Sequence, residues 1–295
     1  MTTTTAAGTS HTNARGTNGS QKLRNFVQGK MSESKTTKYL PIMNPSIGEQ
    51  IGEVPLSTAD DLDAAVRAAR SALPAWSAMP IKERVQITFR YRSISEKYSD
   101  ELTALVHEEN GKILSESKAE IDKSIEVAEF ACSMPQLISG EILEVSKGVE
   151  CRIDRYPVGV VASITPFNFP NMVPNWTIPN ALVLGNTMIL KPSELVPLSA
   201  MRLAEILQEA GLPDGVFNVV NGGQEVVEAI CDHPGIDALT FVGSTRVAKI
   251  VYQRATSHLK RALCLGGAKN HLIVLPDAHE EMAATNIAAS MSGCA

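Results

Sequence analysis

From Arg152 onward the chain alternates short apolar runs with helically spaced segments, and this alternation constrains the fold more than any other feature. The runs are Val158–Ile164, Thr187–Leu190, Val216–Val220, Ala238–Val242, Arg261–Leu265 and His271–Leu275, and each reads as a strand. Between them, Asn171–Leu184, Leu198–Ala210, Gln224–Cys231 and Thr245–Ala255 read as helices. Strands joined through helices of this length build βαβ units, so a parallel sheet is expected. Unbroken apolar strands mean that helices cover both faces of that sheet. Gly211 with Pro213, and His233-Pro234-Gly235, punctuate two junctions. The expected fold class is α/β.

Within this region, Tyr156–Leu190 carries no Asp, Glu, Lys or Arg and so invites reading as a membrane span. Pro157, Pro166, Pro170, Pro174 and Pro179 interrupt it, and Asn168, Asn171, Asn175, Asn180 and Asn186 would leave amides in lipid. No membrane partner is therefore expected. Acidic residues number 32 against 27 basic ones, a net charge of −5, which argues against the basic face of a nucleic-acid binder. The five cysteines form no C-x-x-C pair and the six histidines no H-x-x-x-H, so no metal is expected. Scattered, odd-numbered cysteines point to a reducing compartment, and a cytoplasmic location is expected.

Upstream, residues 57–137 read as mostly helical. Ser57 and Thr58 precede Asp60 and Asp61 in a capping-box pattern, followed by Leu62, Ala65, Val66, Ala69 and Leu73 at helical spacing. A second helix begins at Pro80 with Ile81, Val85 and Phe89 on one face. A third runs from Ser99 to Glu109 before Gly111, and a fourth from Ser115 towards Ser133. Residues 1–37, rich in Thr, Ser, Gly and Asn, bury too little apolar surface to order themselves and are expected to be a disordered extension. Arg15, Lys22, Arg24 and Lys30 precede the first acid, Glu33, in the manner of an organelle transit peptide. That keeps a mitochondrial location as the alternative, although the first ten residues lack an amphipathic period. Met31 offers an alternative start.

Open parallel sheets take ligands beyond the carboxyl ends of their strands. Three loops lie there. In Ile164-Thr165-Pro166-Phe167-Asn168-Phe169-Pro170, Asn168 either turns its amide to a ligand or caps the next helix. In Lys191-Pro192-Ser193-Glu194, ammonium and carboxylate either hold a pair of ribose hydroxyls or form a local ion pair in a solvated turn. Phe241-Val242-Gly243-Ser244-Thr245 either brings backbone up to a phosphate at a helix N-terminus or caps that helix with Ser244 or Thr245. No G-x-G-x-x-G occurs.

In this order, these loops resemble the NAD-binding half of an aldehyde dehydrogenase. Thr165–Pro170 resembles that family's oxyanion loop, Lys191–Glu194 its ribose-binding motif and Phe241–Ser244 its phosphate-side turn. Leu265-Gly266-Gly267 resembles the segment after the general base, and the likeness runs from about Asn44 to the end. The resemblance implies a Rossmann-like sheet, with an NAD-binding domain over residues 38–270 and the start of a catalytic domain at 271–295. It implies NAD as cofactor, Asn168 for the oxyanion, and Thr165 and Phe167 beside the nicotinamide. Lys191 and Glu194 would hold the adenosine ribose, Ser244 the pyrophosphate, and Gly266 would join the cofactor contacts.

Phe167 where other members have Trp, together with Gly267-Ala268-Lys269-Asn270-His271, resembles the CoA-acylating branch of methylmalonate-semialdehyde dehydrogenases. So does Cys264, which stands where hydrolytic members carry the base Glu. A thioester needs a base to activate water; without one, a thiol such as coenzyme A takes the acyl group. Lys123 lies near the expected position of that branch's substrate-carboxylate Arg and cannot make the same bidentate fork. The implied reaction begins with a Cys thiolate attacking an aldehyde, the Asn168 amide and a backbone N–H holding the oxyanion. Hydride transfer to NAD then leaves a thioester. The family's nucleophile lies in a G-Q-x-C motif, and no Gly-Gln precedes Cys294. Cys294 is read as lying a few positions before the nucleophile, with the chain a fragment; the alternative is Cys294 itself. A hydrolytic enzyme and a non-catalytic nucleotide-binding module remain the other readings. The partners implied are a small-molecule aldehyde and coenzyme A, with a homotetramer for the longer protein.

Overall fold

The computed structural model describes residues 22–292. The chain opens with β1 (Asn25–Val27), β2 (Lys30–Ser32), β3 (Tyr39–Asn44) and β4 (Glu49–Pro55). Five helices follow: α1 (Ala59–Ala78), α2 (Ile81–Lys97), α3 (Ser99–Asn110), α4 (Leu114–Cys132) and α5 (Met134–Leu137). After β5 (Glu141–Ser146) and β6 (Val149–Ile153), the alternating part runs β7 (Val160–Ile164), α6 (Met172–Val183), β8 (Thr187–Lys191), α7 (Leu198–Glu209) and β9 (Phe217–Val219). It continues with α8 (Gln224–Asp232), β10 (Ala238–Val242), α9 (Thr245–Ser257), β11 (Arg261–Leu265) and α10 (Glu280–Ser292).

A seven-stranded sheet in the order β11-β10-β7-β8-β9-β1-β2 forms the centre. Its five strands from β11 to β9 are parallel, as the alternating pattern requires. From β7 the chain steps outward to β8 and β9, then returns to the other side of β7 for β10 and β11. Connections leave in opposite directions at the β7/β10 boundary, and that reversal opens a crevice beyond the strands' carboxyl ends.

The central strands β7, β8 and β9 bury both faces, while β11 at the edge is exposed on alternate residues. Met188 and Leu190 join one apolar cluster with Tyr91, Leu102, Ile121, Leu182 and Leu203 from α2, α3, α4, α6 and α7. Ile189 lies in the opposite cluster with Leu62, Val66, Val226, Ile230 and Val251 from α1, α8 and α9. The period of two therefore divides one strand between two cores. The expected capping box is present: Asp61 Oδ2 accepts from the Thr58 N–H at 2.9 Å and from its hydroxyl at 3.1 Å. Arg84 of α2 is buried and donates to the carbonyls of Val183 (2.9 Å), Trp76 (3.4 Å), Ser77 (3.2 Å) and Met79, closing the C-terminal ends of α1 and α6. No helix among the described residues is long and apolar enough to cross a membrane, and no group of His, Cys, Asp or Glu there could hold a metal ion.

Three expectations need correction. Residues 22–37 are ordered, whereas 1–21 lie outside the described residues. β1 adds antiparallel to β9 through Phe26↔Val219, and β2 pairs with β1. Buried Asn25 accepts from the Asn221 N–H and donates to Ser57, both at 2.9 Å, so tertiary partners supply the order that local composition does not. Two hairpins, β3–β4 and β5–β6, flank the helical stretch in segments for which the sequence reading assigns no element. His271–Leu275 is no strand: it has no ladder partner, and Ile273 is 83% exposed. Phe89 is exposed, while Val85, Ile87 and Tyr91 carry the buried face of α2.

Candidate functional site

The strand register places the three loops on one rim. Lys191 lies opposite Ile164, Ile164 opposite Phe241, and Phe241 opposite Cys264. Adjacent strands are about 4.8 Å apart, so this row spans about 14 Å across β8, β7, β10 and β11. Beyond it lie Thr165, Pro192, Gly243 and Gly266. Backbone bonds lock the turns together: Thr165 N–H to Lys191 C=O and Gly243 N–H to Leu265 C=O, each 3.1 Å. Gly267 N–H donates to Thr245 Oγ1 at 2.9 Å.

Lys191 ends β8 and is only 4% exposed. Its Nζ donates to Glu194 Oε2 at 3.0 Å. Burial pushes the Lys191 ammonium down from its ordinary value, against the pull of the Glu194 charge. Burial also opposes ionisation of Glu194, but the Lys191 charge and the hydrogen bonds to its carboxylate hold it below the usual carboxylate range. The ion pair exists, yet the turn is not solvated. Desolvating an ammonium costs several kcal/mol, and the Glu194 carboxylate is the partly exposed member of the pair.

Of the two readings of Ser244, the structure shows the cap. Its hydroxyl accepts from the Val247 N–H at 3.4 Å and so caps α9. Gly243 is explained internally, because a Cβ there would lie 2.6 Å from the Phe241 ring. What remains open to an anion is the helix end itself. Carboxylates already occupy the N-termini of α6 and α7, and Glu225 lies in the first turn of α8. α9 has no acidic residue in its first turn, and Arg246 adds positive charge there.

Asn168 is not a helix cap, since α6 begins at Met172 with Asn171 in the capping position. It sits half-buried in the loop between buried Thr165 and that helix, and Phe167 beside it is 54% exposed. Its carboxamide has no hydrogen-bond partner among the described residues. Sequence reading missed the groups that hold this loop. Buried Glu120 of α4 accepts from the N–H groups of Asn171 (2.8 Å) and Met172 (3.0 Å). Glu109 of α3 does the same for Leu198 (2.6 Å) and Ser199 (2.9 Å) at α7. Burial pushes the Glu109 carboxyl up to about 7, against those two N–H donors. The available signal was the helical spacing that puts Glu120 on the buried face of α4 with Ile121, Ile125 and Ala128.

Cys264 packs against the cluster under α8 and α9, and burial pushes its thiol up, so it stays protonated near neutrality and is no base. Gly266 is exposed at the rim, 3.1 Å from Thr245 by the Cβ it lacks. Lys123 is exposed on α4 and pairs with Glu126 at 2.7 Å. Cys294 lies outside the described residues.

Malonate-semialdehyde dehydrogenase from Lacticaseibacillus casei is 48% identical over 274 residues, which is 92% of this chain and 56% of that protein. A putative methylmalonate-semialdehyde dehydrogenase from Sinorhizobium meliloti, solved with NAD, superposes with a TM-score of 0.89 at 41% identity, over 92% of this chain and 55% of that one. Methylmalonate-semialdehyde dehydrogenase from Oceanimonas doudoroffii gives 0.90 at 40% identity, over 92% and 56%. The chain thus spans little more than half the length of these relatives. The family profile covers residues 31–295, starting earlier than the expected Asn44 and taking in part of β2. With its rim of motif turns and this match, the chain belongs to the aldehyde dehydrogenase family.

Proposed function

We propose that this chain is the NAD-binding part of an NAD-dependent dehydrogenase that oxidises a malonate- or methylmalonate-semialdehyde-type aldehyde to an acyl-CoA. The observation that carries the reading is the row from Lys191 to Cys264, which ranges a buried Lys–Glu pair and the open N-terminus of α9 along one rim of the sheet. The residues fit a dinucleotide: carboxylate and ammonium for ribose hydroxyls, free N–H groups for a pyrophosphate. When bound, NAD supplies a hydride acceptor. Thr165 and Phe167 line the loop side of the crevice, and Asn168 offers two N–H donors to an oxyanion.

The α9 N–H groups and Gly266 receive the phosphate side, and Glu194 disfavours a 2′-phosphate. Fold alone does not decide the cofactor, since an NADP-dependent Escherichia coli enzyme superposes with a TM-score of 0.87. Calorimetry on this chain is expected to show NAD binding about tenfold or more tighter than NADP. Glu194→Gln should narrow that gap. Lys191→Met should weaken NAD about 10- to 100-fold, the worth of a charge-assisted hydrogen bond. Equal affinities for the two cofactors would overturn the NAD assignment.

Acyl transfer to coenzyme A rests on Cys264: its protonated thiol stands where a base would otherwise activate water. In a polypeptide of the relatives' length, aldehyde oxidation is expected to need coenzyme A for rapid turnover. Fast acid production without it would favour the hydrolytic reading. The β5–β6 hairpin, exposed throughout and with Ile142, Leu143, Val145 and Val149 uncovered, supports assembly into a homotetramer. Sedimentation of that polypeptide tests it.

A further inference from the structure

We infer that Asn110, Lys112 and Glu120, at the α3–α4 junction, are positioning residues that fix Asn168 from both sides; this rests on reading Asn168 as the oxyanion donor. Every neighbour of Asn168 is held by this junction. On one side, Asn110 Nδ2 donates to the Phe167 carbonyl at 2.8 Å. On the other, the Lys112 ammonium lies over the Phe169 ring, 3.9 Å from its centroid. Further on, Glu120 Oε1 takes the Asn171 and Met172 N–H groups, while its Oε2 takes Lys112 Nζ at 2.6 Å. Gly111 makes this grip possible. Its φ of 81° ends α3 in the left-handed conformation, so Asn110 and Lys112 reach the same loop from either side of the turn. A Cβ at Gly111 would also stand 2.7 Å from Pro45 Cγ.

The side-chain pair Lys112–Glu120 is 9% and 0% exposed. Burying an ion pair brings little net stability over apolar packing of the same volume. What an apolar pair cannot do is hold two N–H groups and an aromatic ring at fixed distances. The backbone at residues 167, 171 and 172 and the ring of Phe169 are thus tied from outside, while the Asn168 carboxamide keeps its own donors free. Catalytic hydrogen-bond donors work best in that condition, oriented before the charge develops.

The test uses this chain labelled with ¹⁵N, with the Asn168 side-chain amide identified by its loss in Asn168→Ala. In Asn110→Ala, which uncovers no buried charge, that amide signal is expected to shift and broaden while the melting temperature falls by no more than about 4 °C. Lys112→Met should move the same signal, and Lys112→Arg, which keeps the cation, should return it towards the native position. If Lys112→Met does not fold, Asn110→Ala decides. An Asn168 signal unmoved in a folded Asn110→Ala would overturn the inference. NAD calorimetry on the same samples separates the two ideas. A native chain that fails to bind NAD strikes the cofactor reading, while a moved Asn168 signal still upholds the clamp.

Discussion

Replacing Arg84 by Met is expected to cost roughly 3–5 kcal/mol of stability, about 10 °C in melting temperature. The guanidinium is buried and binds four carbonyls drawn from two helix ends, so its loss orphans acceptors at both. Each buried carbonyl left unpaired costs about 1–3 kcal/mol, and the removed stem leaves space as well. Arg84→Lys should recover only part, because one ammonium cannot fork between α1 and α6. Gly185 is part of the same arrangement. With a φ of 88° and a missing Cβ that would sit 3.1 Å from Arg84 Cζ, it gives the guanidinium its room. Thermal melting followed by circular dichroism checks this, and a Met variant melting within about 2 °C of the native chain would refute it.

Stability should also fall as pH rises from about 4.5 to about 7, through Glu109. Its folded carboxyl is raised to about 7 by burial, with the Glu120 charge adding to the rise, whereas the unfolded one titrates near 4.5. Below 4.5 both states hold the proton and the contribution is fully present. Between the two values only the unfolded state ionises, so unfolding becomes easier by about 3 kcal/mol across the window. Glu109→Gln removes the titration while keeping an acceptor for Leu198 or Ser199. Urea midpoints of native chain and variant at pH 5 and pH 8 should therefore diverge, with the variant gaining at the higher pH. Parallel profiles would mean that Glu109 stays ionised in the fold.

How far the sequence disclosed this molecule depended on where each signal was carried. The strands β7 to β9 were legible because burial on both faces writes itself into consecutive residues, as in Val160–Ile164 and Thr187–Lys191, whereas β10 and β11 are apolar runs only partly covered. The rim turns followed, since each begins where a legible strand stops. β1 and β2 were not legible. They are three residues each, and what orders them is Asn25 and Phe26 finding partners far along the chain. His271–Leu275 shows the converse: an apolar run makes no strand without a neighbour to ladder with. At the site, residue types gave Lys191, Glu194 and Asn168, but the groups that hold them were hidden. Glu109 and Glu120 look from sequence like ordinary helix acids, and only tertiary packing turns them into caps for α7 and α6. Ser244 looked like either a cap or a ligand contact because a helix N-terminus serves both purposes with the same N–H groups.

The pairing of β1 with β9 has a consequence for synthesis on the ribosome. Phe26 cannot meet Val219 until the latter has left the exit tunnel. At about 5–20 residues per second, the first strand waits about 10–40 s for its neighbour. Through that interval β1 has only β2 to pair with, and one flank of the sheet is finished by a segment made long before the strand it joins.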